Sequence, residues 1–376
     1  MKYNTDKVLE TLNLVKHPET GKGLVELGMV ENLVLEGNKI SFDLVVKSGK
    51  DPFAKSLVKA ADRTLKFYLD EDIEVEIKEK VKQFESVKFK APSKPLSGVK
   101  NIIAVSSGKG GVGKSTVAAN LAVAIARTGA KVGLLDADIW GPSIPTMFGI
   151  ENARPVATQE GGKTLIHPVE KFGIKVLSVG FFVDPDKALI WRGSMASNAL
   201  GQLMNDGAWG ELDYVILDMP PGTGDIHLTL VQTLAVTGVI IVSTPQKVAL
   251  GDARKGVSMY QQKDINVPIL GLVENMAYFT PAECPDNKYY LFGKDGCKNL
   301  AAELNVPLLA EIPIVQSIMD AGDKGHPIAL DENDPMGKAF SALAQAAIDR
   351  IEWRNRELDP TKKVEIKEGA GCSTDK

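Results

Sequence analysis

The apolar positions change period along the chain, and the changes mark out elements. Val8, Leu9, Leu12 and Val15 recur at helical spacing. Two strand-like runs follow, residues 30–35 and 40–46, and Gly37-Asn38 between them predicts a hairpin. Phe53, Leu57, Ala61 and Leu65 predict a second amphipathic helix. Ile73, Val75 and Ile77 alternate with Glu74 and Glu76, the pattern of a strand with one wet face. Residues 1–85 thus read as a small α+β domain. Pro92, Pro95 and Gly98 among lysines and serines make residues 86–100 an exposed linker.

The pattern then turns to short apolar runs without polar alternation, at residues 102–105, 132–135, 176–179, 214–217, 239–242, 269–273 and 308–312. Longer helical patterns separate them. Strands of this kind are covered on both faces, so residues 101–357 predict an α/β domain with a doubly wound, mostly parallel sheet. Residues 339–357 form its last helix, with Phe340 and Leu343 facing the core. A polar tail, residues 358–376, ends the chain.

Composition narrows the picture. The chain has 376 residues and a formal net charge of −4, which disfavours a nonspecific nucleic-acid coat. No apolar run approaches the roughly 18 residues of a membrane-spanning helix. The first 16 residues lack the apolar block of a signal peptide. Three cysteines, Cys284, Cys297 and Cys372, are too few for a disulfide scaffold and lead to the expectation of a cytoplasmic protein with free thiols.

The strongest chemical signal is Gly108-Lys109-Gly110-Gly111-Val112-Gly113-Lys114-Ser115-Thr116, between a predicted strand and a predicted helix. It fits the phosphate-loop pattern of a P-loop NTPase. Glycines let several backbone N–H groups converge on one anion, and the helix N-terminus adds partial positive charge. Lys114 is expected to reach the β- and γ-phosphates of ATP, and the Ser115 hydroxyl to ligate Mg²⁺. Lys109 adds a second cation. It is either solvated in one monomer or reaches a phosphate held by a second subunit.

Two acidic strand ends complete the expected machinery. The run 132–135 leads into Asp136-Ala137-Asp138, at the edge where parallel sheets bind ligands. Asp138 is the candidate for orienting the attacking water, and Asp136 for holding the local loop or the metal's water shell. The run 214–217 ends in Asp218, the expected Mg²⁺ ligand, followed by Met219-Pro220-Pro221-Gly222-Thr223-Gly224-Asp225, a composition suited to a γ-phosphate-sensing switch. His227 is read as a surface loop histidine rather than part of that switch.

With Lys109 in place, the loop resembles that of the deviant Walker A ATPases. The stretches 135–143, Trp191-Arg192-Gly193, 212–214 and 218–225 resemble the Mrp/ApbC iron-sulfur cluster carriers, and the first domain resembles the MIP18-type (DUF59) module at the N-terminus of bacterial members. The resemblance implies a homodimer sandwiching ATP, with Lys109 crossing between subunits as an arginine finger does. It implies that Asn275 reads adenine. It also implies a [4Fe-4S] cluster delivered to apo iron-sulfur proteins, with cluster-assembly factors as further partners and neither nucleic acid nor membrane. In that family a C-x-x-C pair follows the segment that here reads Asn275-Met276-Ala277-Tyr278-Phe279. This chain has Pro281 at the first cysteine position and Cys284 at the second. Cys297, Cys372 or Glu283 would have to supply further ligands, although oxygen suits such clusters less than thiolate. The alternatives are a MinD/ParA-like positioning ATPase and an ATP-switched scaffold without a cluster.

Overall fold

A computed structural model describes residues 4–18, 23–46, 53–70, 72–81, 96–160, 163–182, 193–281, 284 and 287–362. Most of the predicted linker, the tail from 363 with Cys372, Trp191-Arg192 and Glu283 lie outside the described residues. The chain divides into two compact units, Met1–Ala91 and Pro92–Lys376.

The first unit contains α1 (Thr5–Leu12), β1 (Val30–Glu36), β2 (Lys39–Val46), α2 (Ala54–Tyr68) and β3 (Glu74–Val81). Its sheet has the order β1-β2-β3. The first pair is antiparallel and turns through Gly37 at a φ of 61°. The second pair is parallel, so α2 serves as the crossover. Val8 and Leu12 from α1, Leu57, Ala61 and Leu65 from α2, and Ile40, Phe42 and Leu44 from β2 form one core. The period of each run in the sequence is the period of its buried face.

The second unit begins with β4 (Val99–Ser107), α3 (Lys114–Ala126), β5 (Val132–Asp136) and the single turn α4 (Ile144–Met147). A hairpin of β6 (Ala157–Glu160) and β7 (Lys163–Ile166) follows, then β8 (Val169–Lys171), β9 (Ile174–Ser178) and α5 (Gly193–Asn205). Next come β10 (Leu212–Pro221), α6 (Asp225–Thr233), β11 (Gly238–Ser243) and α7 (Lys247–Gln261). The last elements are β12 (Ile269–Phe279), α8 (Gly296–Glu303), β13 (Leu308–Ile314), α9 (Gln316–Asp323) and α10 (Pro335–Glu357).

Eight strands form one sheet in the order β13-β12-β11-β4-β10-β5-β9-β8. Every pairing in it is parallel except that of β8 with β9 at the edge. Alternation within the strands divides the core between the faces. Ile102, Ala104, Val215 and Leu217 join one cluster, while Ile103, Val105 and Ile216 join the other with Val117, Leu121, Phe340 and Leu343 from α3 and α10. Side chains on both faces are buried, which explains the continuous apolar runs. The hairpin β6–β7 and the edge strand β8 had no such signature, because Thr158, Gln159 and Glu170 interrupt them.

Candidate functional site

Strand β4 runs straight into the glycine-rich loop, and α3 starts at Lys114. Gly113 caps the helix with a φ of 82°, in the left-handed region that a side chain disfavours. Packing imposes a second restriction. A Cβ on Gly113 would lie 2.1 Å from Asn275 Nδ2, and one on Gly108 would lie 2.2 Å from the Asp252 backbone carbonyl of α7. The Asn275 amide donates to the Val112 carbonyl at 2.9 Å, tying β12 to the loop. The Ser107 hydroxyl donates to the Lys109 carbonyl at 2.9 Å, while the Lys109 side chain is exposed. Gly110 and Gly111 are exposed on the loop, and Thr116 follows Ser115 in the first turn of α3.

Lys114 gathers the acidic strand ends. Its Nζ is 2.5 Å from Asp218 Oδ1, 3.1 Å from Ser115 Oγ and 3.5 Å from Asp138 Oδ2. The lysine is 6% exposed and Asp218 fully buried, so the ion pair is shielded from water. Asp218 Oδ2 has no hydrogen-bond partner among the described residues. A buried carboxylate oxygen without a partner, with a hydroxyl beside its lysine, is the donor set of a hard divalent cation, so Asp218 and Ser115 fit Mg²⁺.

Asp136 and Asp218 are register partners on β5 and β10. Burial pushes the Asp218 carboxyl above its ordinary range, against the pull of Lys114. Burial first, and the neighbouring Asp218 charge second, push Asp136 up to about 8. Both Asp136 oxygens are engaged by the chain itself. Oδ2 accepts from Ser178 at 2.9 Å and from the Ile144 N–H at 3.3 Å, and Oδ1 accepts from the Asp138 N–H at 3.1 Å. Of its two expected roles, the loop-holding one has this geometry.

Beside Gly113 opens a cavity of about 780 Å³, lined among others by Thr116, Asn275, Met147, Pro313 and Ile318. Its wall from the end of β13 and from α9 was not anticipated. The available signal was Glu311-Ile312-Pro313-Ile314, a core strand ending in proline at the ligand edge.

One expectation needs correction. His227 is not a surface histidine. It lies in α6, 2% exposed, with Nε2 3.0 Å from the Pro220 carbonyl oxygen. The amphipathic turn of α6 buries it, which the loop-like composition before Asp225 concealed. Cys297, one of the candidates for a further cluster ligand, does not reach the surface. It is fully buried at the start of α8, where its N–H donates to the buried Glu274 carboxylate. Burial first, and the Glu274 charge second, hold its thiol protonated far above the usual range. Cys284 is exposed. Phe279 and Tyr289 exchange two backbone hydrogen bonds of 2.8 Å and close a loop around it. The Cys284 N–H donates to the Pro281 carbonyl at 3.1 Å, so the residue at the first cysteine position is bonded to the one at the second.

A family model described as the NUBPL iron-transfer P-loop NTPase matches residues 98–348. The chain belongs to this family. A second model, described as an iron-sulfur cluster assembly protein, matches residues 5–77 of this NUBPL-family chain. An "iron-sulfur cluster carrier protein" of Synechocystis is 45% identical over 350 residues, covering 92% of this chain and 98% of the relative. One of Escherichia coli is 48% identical over 256 residues, 68% of this chain and 67% of the relative. Among solved structures, a nucleotide-binding protein from Archaeoglobus fulgidus in complex with ADP matches with a TM-score of 0.54 and 39% identity. That match covers 64% of this chain and 91% of the other.

Proposed function

We propose that this protein is an ATP-dependent iron-sulfur cluster carrier. It hydrolyses ATP in a nucleotide-sandwiched homodimer and delivers its cargo to apo iron-sulfur proteins. The observation that carries the nucleotide half is Lys114, buried and held between Asp218 and Asp138 at the mouth of the glycine loop. An ammonium clamped by carboxylates is already desolvated and oriented, so exchanging them for the β- and γ-phosphates needs a small movement. The loop N–H groups and the α3 N-terminus receive the anion. Asp138 orients the water, whose oxygen attacks the γ-phosphorus as the bond to the β–γ bridging oxygen breaks, giving ADP and phosphate. Ser115 and Asp218 would hold Mg²⁺, which would supply positive charge against the phosphates. Asn275, pinned to the loop through Val112, faces the cavity and reads adenine. Exposed Lys109 crosses to the partner's nucleotide.

For the cargo half, names borne by relatives over nearly the whole chain support the carrier reading. Cys284, exposed beyond β12, supplies one thiolate per protomer to a [4Fe-4S] cluster. The positioning-ATPase alternative needs a free amphipathic helix. Here α10 buries Phe340, Leu343, Ala347 and Ile351 in the core, and among the described residues no helix is long and apolar enough to cross a membrane.

The test is anaerobic reconstitution with iron and sulfide, scored as iron per dimer and transfer to an apo-acceptor. Wild type and Cys297→Ser are expected to bind and transfer alike, and Cys284→Ser to lose at least nine-tenths of the bound iron. Equal loading of Cys284→Ser and wild type would remove Cys284, and a wild type that takes up no iron would remove the carrier reading.

A further inference from the structure

His227 is the buried titratable group that the phosphoryl-transfer scheme leaves unused. It sits in the first turn of α6, where its own N–H donates to the Gly224 carbonyl at 3.0 Å. The ring Nε2 is 3.0 Å from the Pro220 carbonyl oxygen. A carbonyl has no proton to give, so Nε2 carries the hydrogen and donates it. Burial holds the imidazole below its ordinary pKa, and the ring is accordingly neutral. Its contact therefore fixes one tautomer.

The segment it grips explains the need. Pro220 and Pro221 follow Asp218 closely, and neither has an N–H. Two consecutive positions between the candidate Mg²⁺ ligand and the switch glycine thus have no backbone donor of their own. The next residue, Gly222, donates its N–H to the Ser107 carbonyl at 2.8 Å. Ser107 in turn holds the Lys109 carbonyl through its hydroxyl. There the chain is latched to the phosphate loop. Between Asp218, which Lys114 holds, and Gly222, the only side-chain hydrogen bond to the main chain among the described contacts is that of the His227 ring.

Resting on the ATPase reading above, we infer that His227 is a positioning residue for phosphoryl transfer. Its Nε2–H, donated to the Pro220 carbonyl, holds the segment from Asp218 to Gly222 in register with the phosphate loop. Its effect passes through the main chain to Asp218 on one side and to Gly222 and Ser107 on the other. The donor, not the ring's charge, is what the position requires, so a neutral side chain with an N–H at the same reach should replace it.

Two variants separate this role from simple core filling. His227→Gln keeps a neutral amide N–H near the Nε2 position, and His227→Leu fills similar space without a donor. In Mg·ATP hydrolysis, His227→Leu is expected to lower kcat at least tenfold with KM for ATP within twofold of wild type. His227→Gln is expected to return kcat to within threefold of wild type. Amide exchange across residues 219–226 of the nucleotide-free full chain should be at least tenfold faster in His227→Leu and near wild type in His227→Gln. If the two variants behave alike in kcat and exchange, the ring is only a spacer and the inference is overturned. If wild type itself shows no hydrolysis, it is the ATPase reading that fails, and the exchange comparison still decides whether His227 holds the segment.

Discussion

The two ends of the proposed machine differ in how they are built. The phosphate loop between β4 and α3 is walled on several sides: by the α7 backbone against Gly108, by the Asn275 side chain against Gly113, and by the Ser107 hydroxyl on the Lys109 carbonyl. The loop beyond β12 closes on itself through Phe279 and Tyr289 and offers a single exposed thiol. Both hang from the same edge of the sheet. Recognising a phosphate with backbone N–H groups fixes φ, ψ and the absence of side chains at set positions, so the first end is dictated residue by residue. Holding a metal cluster needs only soft ligands at the right reach, and a symmetric dimer can divide them between copies. That end is therefore far less constrained within one chain.

The largest effect should come from removing the cation that organises the first end. Lys114→Ala leaves Asp218, Asp138 and Asp136 facing one another without a counter-charge. ATP turnover is expected to fall by about 100-fold or more, the scale set by losing one strong electrostatic contact to the transferring group. Lys109→Ala, whose side chain is exposed in one protomer, should lower turnover while leaving the melting temperature of the nucleotide-free chain within about 1 °C of wild type. A Lys114→Ala chain that still hydrolyses ATP at a tenth of the wild-type rate would show that the carboxylate cage is only a resting place for the lysine.

Steric dictation can be graded with two glycines. A Cβ at Gly108 would meet main-chain atoms of Asp252 and Ala253, which cannot rotate away. Gly108→Ala is expected to destabilise the chain by about 2–3 kcal/mol in denaturant unfolding. Gly222 has a φ of 93° but nothing within 4 Å of its Cβ position. Gly222→Ala should cost only the backbone term, about 1 kcal/mol. Equal costs at the two positions would mean that α7 yields and that the wall is soft.

This difference also governs what could be read from the sequence. The sheet was legible because strands covered on both faces must be continuously apolar, as 102–105 and 214–217 are. The nucleotide end was legible because Gly108, Gly113, Lys114 and Ser115 must stand at fixed spacing. His227 was misread because a histidine after Gly-Thr-Gly-Asp has no local pattern that separates a loop from the first turn of a buried helix. The role of Asp136 depended on Ser178, which only the pairing of β5 with β9 brings beside it. Ile318 came to the cavity by tertiary placement alone, whereas Pro313 left a trace as the proline near the end of a core strand. The burial of Cys297 was out of reach for the same reason: it contacts Glu274 and Thr244, which no spacing rule connects to it.

The two described thiols give the smallest and most discriminating test. Cys284 is exposed, while Cys297 is fully buried with its thiol held protonated by burial and by Glu274. In a Cys372→Ser background at pH 8, a thiol reagent is expected to label one cysteine quickly and the second only as fast as the chain opens. The same asymmetry carries a pH signature. The folded chain keeps the Cys297 proton at a pH where the unfolded chain, with an ordinary thiol, releases it. The unfolded state therefore binds fewer protons, and stability falls as pH rises above the ordinary thiol value of 9.0. The loss from this one group is on the order of 1 kcal/mol between pH 9 and 10. It should appear as the difference between wild type and Cys297→Ala in denaturant midpoints across that range, which cancels the other groups that titrate there. If Cys297 is labelled as fast as Cys284 and the difference is flat, the thiol is accessible after all. It would then regain its standing as a ligand, and the cargo end would hold two thiolates per protomer.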